Sequence, residues 1–171
     1  MDAVHLHLML NHLPVIGIVL VGILLAVALF TGNAQFQRVS LWFLILLALA
    51  AIPVYLTGEP TEERVENLPG ISGAVIERHE DIAKFAFVAL EILGGAALVS
   101  LLAYRKSARL PKALLSGVLA LTVVSAGLFS WTGWTGGQIR HTEIRSGTQA
   151  ATGSQPENRQ EKKHEKENDG H

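Results

Sequence analysis

The sequence predicts an all-α integral membrane protein, a four-helix bundle whose neighbouring helices run antiparallel, up and down across the bilayer. Four apolar blocks approach the ~20 residues that a helix needs to cross a ~30 Å hydrocarbon layer. They are residues 13–30, 39–56, 85–104 and 114–134. The first two blocks contain no Asp, Glu, Lys or Arg, which is typical of membrane spans and unusual for the core of a soluble helical protein.

Composition narrows the classes of chemistry open to the chain. It has 171 residues, a net charge of −1 and no cysteine. Disulfides, thiolate-bound zinc, iron–sulfur clusters and the covalent C-x-x-C-H attachment of c-type haem are therefore excluded. Basic residues are neither in excess nor interleaved with aromatics, so we expect no nucleic-acid partner. The N-terminus lacks the basic head and cleavage site of a secretory signal, so the first block is expected to be a permanent span.

The first span follows a run that contains three histidines, His5, His7 and His12. Pro14 fits the start of a helix, with position 11 or 12 as the cap. If the helix instead begins near Val4, Pro14 lies inside it and kinks it. In a continuous helix His5 and His12 share one face and His7 points nearly the opposite way.

The connections between the spans differ in length and charge. Residues 31–37 form a short turn, which makes the first two spans antiparallel neighbours. Residues 57–70 are acidic and bounded by Gly and Pro, and we expect a loop with one short helix at the interface. The third span is predicted to start near Ser72, and residues 105–112 form a short basic connection to the fourth. No internal repeat in the sequence is convincing.

The chain divides by composition into two parts. Residues 1–145 are predicted to form the transmembrane bundle. Residues 146–171 are rich in Gly, Ser, Gln, Asn and mixed charge. Such a segment cannot bury enough apolar surface to order itself, so we predict a disordered polar tail.

The distribution of cations predicts the orientation. An even number of spans puts both termini and the acidic loop on one side, and the short basic connection on the other. Because short cationic loops stay in the cytoplasm, we expect the termini outside. His5, His7, His12, His79 and His141 all fall on that terminal side.

Helical geometry brings three of these histidines to a similar depth. His79 and His141 both lie roughly 9–11 Å outside the apolar blocks at ~1.5 Å per residue. His79 shares a helix face with small residues, and His141 lies above a strip that contains Ser130, Gly127 and Ser116. Membrane helices approach one another along such strips. We therefore expect both histidines to point into the bundle and to share a site with His12.

The chemistry favoured for this site is b-type haem and electron transfer. Haem iron takes one or two imidazoles from facing helices, and its propionates need cations. The predicted axial ligands are His79 and His141, with His12 third, while Arg140 is a partner for the propionates and Trp134 a wall of the ring site. A second haem would need two further ligands, which His5 or His7 could complete. On this hypothesis the protein is an electron-transfer subunit and not a stand-alone enzyme.

Three alternatives remain open. Zn, Cu or non-haem Fe could be held by imidazoles and a carboxylate, with the ligand set His79, His141, His12, His5 and Glu80. The chain could instead be a structural or assembly subunit of a larger membrane complex. In the third, the histidines only form hydrogen bonds with loop carbonyls and lipid headgroups.

Glu91 lies near the middle of the third span, where a carboxyl group is costly. We interpret it as part of a proton path towards the outer site. The alternative is a protonated glutamic acid that forms a hydrogen bond across the bundle.

Four motifs resemble a group of uncharacterised bacterial four-span membrane proteins. They are N-H-L-P-V-I-G at 11–17, T-G-E at 57–59, I-E-R-H-E-D-I-A at 76–83 and G-G-Q-I-R-H-T-E-I at 136–144. The resemblance implies a bacterial inner-membrane protein, and haem or metal binding is often suspected in such proteins. It marks five matching positions, His12, His79, Glu80, Arg140 and His141. The partners expected are the lipid bilayer, a quinone or periplasmic electron carrier, and subunits of a membrane complex.

Overall fold

The structure, a computed structural model, describes residues 3–66, 68–141 and 144. The helices within these residues are α1 (Ala3–Leu10), α2 (His12–Thr31), α3 (Ala34–Leu56), α4 (Gly58–Val65), α5 (Gly73–Ala103) and α6 (Lys112–Arg140). Four helical stretches are long and apolar enough to cross a membrane, and α1 and α2 together form the first of them. The predicted all-α fold with four spans is confirmed.

The first span begins before Pro14, as in the second of the two predicted arrangements. Asn11, between α1 and α2, keeps helical dihedral angles of φ −60° and ψ −26°. Pro14 has no N–H to donate, and the next bond, from the Val15 N–H to the Asn11 carbonyl, is long at 3.4 Å. The join between α1 and α2 therefore lacks one backbone hydrogen bond and has a long one beside it.

Neighbouring spans are antiparallel, as predicted. The start of α3 meets the end of α2, where the Gln37 side chain donates to the Ala28 carbonyl at 3.3 Å. The same end of α3 meets the end of α5, where Arg38 donates to the Tyr104 carbonyl at 2.9 Å. The main helix contacts run around a ring, from α2 to α3, α5, α6 and back to α2. Each span thus packs against two antiparallel neighbours.

The two helical hairpins of the ring are structural repeats of each other. The first is α1 to α3 and the second is α5 and α6. The buried positions of α2 all have a buried counterpart 72 residues later in α5: Pro14, Ile18, Val21, Leu25 and Ala28 correspond to Ala86, Leu90, Leu93, Ala97 and Ser100. The bundle therefore has an approximate two-fold axis along its length, which relates α2 to α5 and α3 to α6.

The second helices of the hairpins match with a register of 78 residues. Four buried positions of α3, Gln37, Ser40, Leu44 and Ala51, correspond to the buried Leu115, Val118, Thr122 and Phe129 of α6. The register grows by six because the first hairpin turns through two residues, 32–33, and the second through eight, 104–111. The sequence does not reveal this repeat, since the matched residues differ in size and polarity.

The described residues up to Arg140 form one compact unit. The predicted boundary after residue 145 stays a prediction. The tail predicted for residues 146–171 lies outside the described residues.

The contact between α3 and α5 generates a stability prediction. A Cβ atom added at Gly94 would lie 2.5 Å from the Cβ atom of Ala48, whereas one added at Gly95 meets nothing within 4 Å. We expect Gly94→Ala to push α3 and α5 apart and to cost about 1–3 kcal/mol, as overpacking does. Thermal unfolding of the detergent-solubilised protein measures this effect as a lower transition temperature.

Gly95→Ala is the matched control and should leave the transition unchanged or slightly raised. Ala48→Gly should restore the stability of Gly94→Ala. Equal effects of the two glycine substitutions would contradict the packing.

Candidate cofactor site

His79 is held by the neighbouring helix of its own hairpin. Its Nδ1 atom lies 3.1 Å from the Thr132 carbonyl oxygen and 3.2 Å from the Thr135 hydroxyl. A carbonyl oxygen can only accept a hydrogen bond, so the proton of the neutral imidazole must be on Nδ1. The Nε2 atom then carries the lone pair. This is the tautomer in which a histidine binds metal through Nε2.

His7 makes the same contacts in the first hairpin. Its Nδ1 atom lies 3.0 Å from the Val54 carbonyl oxygen and 3.3 Å from the Thr57 hydroxyl. Among the described residues, the hydrogen bonds of His7 and His79 are all made at Nδ1. Both rings therefore present Nε2 as the free ligand atom.

The threonines that hold the two rings are equivalent as well. The Thr57 hydroxyl lies 2.8 Å and 3.0 Å from the carbonyls four and three residues before it, those of Pro53 and Val54. The Thr135 hydroxyl makes the corresponding contacts with Trp131 and Thr132 at 3.2 Å and 3.1 Å. His79 follows His7 by 72 positions and Thr135 follows Thr57 by 78, which are the registers of the repeat.

A glycine follows each threonine and lets the imidazole approach the helix. A Cβ atom at Gly136 would lie 3.0 Å from the Cε1 atom of His79, and a Cβ atom at Gly58 would lie 3.8 Å from the Cε1 atom of His7. The first distance is tighter than most real Cβ contacts, so a side chain at position 136 would require the His79 ring to shift by a few tenths of an ångström. The second is an ordinary van der Waals contact.

The two imidazoles lie at the same end of the bundle, since His7 contacts the end of α3 and His79 the last turns of α6. His79 is the more buried ring, and His7 is close enough to contribute to its electrostatic environment. Because the two-fold axis relates His7 to His79, a single ion or cofactor on that axis would meet the same nitrogen atom from each hairpin. We define these two residues as the histidine pair.

The structure places the predicted ligands as follows. His79 points towards α6, as predicted. His12 is exposed, and its Nδ1 atom is bonded within its own span to the Leu8 carbonyl of α1 at 3.0 Å. His5 is exposed too. His7, which the sequence-based prediction left in a secondary role, is the histidine of the first span that turns inward.

The structure differs more from the prediction for the residues at the end of α6 and just after it. The strip beneath His141 faces outward: Ser116, Gly127 and Ser130 are exposed, and the prediction that this strip points into the bundle is wrong. Trp134 is 50% exposed on the same side. Arg140 is exposed at the end of α6, and His141, the next residue, is exposed too.

Glu80 belongs to an acidic cleft of about 350 Å³ beside the histidine pair. The carboxylates that line the cleft come from α4 and α5 and are Glu59, Glu62, Glu63, Glu66, Glu77 and Glu80. In the described part of the chain, no three His, Cys, Asp or Glu side chains form a group that could hold a metal ion. The structure thus places two imidazoles at one end of the bundle and, separately, a cluster of carboxylates.

Glu91 lies one helical turn beyond Phe87, which stacks on Tyr55 of α3 with ring centroids 4.4 Å apart. Its side chain is half-buried, and its Oε1 atom is buried with no hydrogen-bond partner among the described residues. The proton path predicted through Glu91 stays a prediction.

The chain belongs to the family described as "Predicted membrane protein (DUF2231)", whose model matches residues 3–145. This assignment confirms the resemblance to a family of membrane proteins of unknown function. The bacterial inner-membrane location stays a prediction. Searches of curated proteins and of solved structures gave no match.

The shared hydrogen-bond pattern predicts the tautomer of the histidine pair. We expect the ¹⁵N spectrum of the histidine-labelled protein in detergent at neutral pH to show His7 and His79 protonated at Nδ1 and unprotonated at Nε2. His7→Gln and His79→Gln assign the two signals. Protonation at Nε2 in either ring would contradict the contacts with the Val54 and Thr132 carbonyls.

Proposed function

We propose that the histidine pair binds one b-type haem and that the protein transfers electrons through it. In this proposal His7 and His79 would hold the haem iron through their Nε2 atoms, and the haem would supply a carrier for one electron. The observation that carries the proposal is the duplicated geometry: each hairpin presents one imidazole with Nδ1 bonded to a helix carbonyl and Nε2 free. A hydrogen bond at Nδ1 fixes the ring orientation and makes Nε2 a stronger ligand.

The number of available ligands favours haem over a bare metal ion. The porphyrin supplies four of the ligands of haem iron, so two imidazoles complete the coordination. Zinc sites need three or four protein ligands, and copper and non-haem iron sites also draw most of theirs from the protein. Within the described residues the histidine pair is joined by no third ligand in a group of that kind.

The surroundings of His79 supply a cation for the propionates. The guanidinium of Arg78, the residue before His79, lies 5.9 Å from the centre of the Trp131 ring. An arginine held over an aromatic ring at the end of a span is well placed to pair with a carboxylate at the membrane surface. Arg140 is a second exposed cation at this end.

The join between α1 and α2 provides the freedom that a macrocycle needs in order to enter. α1 carries His7 and is held to α2 through the long bond from Val15 to Asn11, at 3.4 Å. A weak helix bond next to a proline is a common hinge. Movement of α1 at this point widens the gap between the rings while α2 keeps its place in the bundle.

The proposal includes the side of the membrane on which the site lies and the electron partners that it meets there. The basic turn between α5 and α6 favours the cytoplasmic side of a bacterial inner membrane, which puts the histidine pair at the periplasmic face. Its electron partners there are a quinone in the bilayer or a soluble periplasmic carrier. A metal-binding or assembly subunit is the alternative that the following experiment separates.

The absorption spectrum of the purified full-length protein tests the proposal. We expect a Soret band and, on reduction, a sharp α band, as two imidazole ligands produce. Both bands should be lost in His7→Ala and in His79→Ala and kept in His12→Ala, because His12 is exposed and bonded within its own span. A colourless protein with stoichiometric zinc or copper would support the alternative. Loss of haem in His141→Ala alone would identify His141, the residue after α6, as the ligand instead.

The threonines generate a second prediction. Thr57→Val and Thr135→Val each remove one acceptor near Nδ1, which weakens the axial ligand and should raise the reduction potential of the haem. Because the two sites are equivalent, the shifts should be similar. A spectroscopic redox titration measures them.

Thr61→Val is the matched control for these substitutions. The Thr61 hydroxyl bonds to the Thr57 carbonyl of its own helix at 2.7 Å and contacts neither imidazole. A shift of the same size in Thr61→Val would show that the potential responds to helix stability and not to the ligand.

A further inference from the structure

The end of the bundle opposite the histidine pair carries a basic patch, defined as Arg105, Lys106, Arg109 and Lys112. All four side chains are exposed. Neither connection at this end, 31–38 or 104–112, contains an Asp or Glu. The patch therefore has no acidic neighbour in either connection.

The patch is built by the part of the second hairpin that has no counterpart in the first. The two-residue turn at 32–33 is replaced by eight residues, 104–111, and these carry three of the four cations. The repeat shows that a hairpin of this kind closes with the short turn. The longer connection is therefore not required by the fold.

The connection is held in place by hydrogen bonds from α3 and by one buried side chain. The Arg38 guanidinium donates to the Tyr104 carbonyl at 2.9 Å and to the Ser107 carbonyl at 2.6 Å. Leu110 is buried, with 4% of its surface exposed. One cation and one apolar side chain thus fix both ends of the segment that presents Arg105, Lys106 and Arg109.

Exposed apolar side chains lie at the same end of the bundle as the patch, in the last turns of α5 and at the start of α3. Val99 and Leu102, in the last turns of α5, are 65% and 59% exposed, and Phe36 at the start of α3 is 45% exposed. Cations above an exposed apolar strip match the two parts of a phospholipid, a charged headgroup and its acyl chains. A free phosphate or nucleotide would use the cations and leave the apolar strip without a role.

We propose that the basic patch binds the headgroup of an anionic phospholipid whose acyl chains lie along the end of α5. The lipid phosphate pairs with Arg105, Lys106 and Arg109, and Arg38 is a positioning residue that holds their segment. This site is independent of the proposed haem function, since it lies at the other end of the bundle.

The test is titration of the detergent-solubilised full chain with phosphatidylglycerol, followed by native mass spectrometry. We expect Arg105→Gln/Lys106→Gln to weaken binding by about 30-fold, since each cation near an anionic headgroup contributes a factor of about 5. Phosphatidylcholine, which is zwitterionic, should bind weakly to both forms. Arg109→Gln/Lys112→Gln is a second pair if the first does not fold.

Arg64→Gln/Lys84→Gln is the matched control, because it removes two cations from the opposite end of the bundle. It should bind phosphatidylglycerol as the unaltered protein does. Equal weakening in both double variants, no weakening in either patch variant, or displacement of the lipid by inorganic phosphate would overturn the proposal. The last of these outcomes would identify a site for small anions.

Discussion

The hydrogen bond from an imidazole Nδ1 atom to a helix carbonyl is the interaction on which the site depends. A main-chain carbonyl cannot donate, so it fixes both the proton and the orientation of the ring. At the end of a membrane bundle few water molecules compete for that bond, and an imidazole left without it would be costly to bury. The threonine hydroxyl and the following glycine complete the arrangement, the first as a second acceptor and the second by leaving room for the ring.

Because the hairpin is duplicated, this local arrangement occurs twice. Each hairpin presents one imidazole, and packing the hairpins around a two-fold axis brings the two rings to the same end. Two departures from symmetry lie outside the ring of spans. In the first hairpin α4 is a separate acidic helix after α3, whereas α6 continues to Arg140. The turn of the second hairpin is longer by six residues and is basic. The two ends of the bundle therefore differ in charge, with carboxylates at the end of the histidine pair and cations at the other end.

Much of the fold follows from the sequence, because hydrocarbon forces each crossing segment to be long, helical and apolar. The four spans, their antiparallel order and the inward direction of His79 were predictable on that basis. The repeat was not, since matched positions such as Leu25 and Ala97 share burial and not side-chain type. The signal that could have revealed it is the dipeptide Thr-Gly, at 57–58 and 135–136, each a similar distance after a histidine.

Of the histidine pair, only His79 was predicted as a main ligand, for a related reason. Helical geometry separates His7 from His5 and His12, but it does not say which face meets a neighbour. The structure shows that the His7 face does. The partners of both rings are main-chain carbonyls, which leave no trace in the residue type, so Val54 and Thr132 could not have been identified. His141 was favoured because small residues were taken to mark a buried strip, whereas Gly127 and Ser130 lie on the exposed side of α6.

Proximity of positions 7 and 79 is the central claim, and cysteine cross-linking tests it most directly. The chain has no native cysteine, so introduced pairs can be read without background. A short thiol-reactive cross-linker should join His7→Cys/His79→Cys in native membranes and leave His12→Cys/His79→Cys unjoined. Efficient cross-linking of the second pair, or failure of the first in a protein that remains folded, would contradict the two-fold arrangement of the histidines.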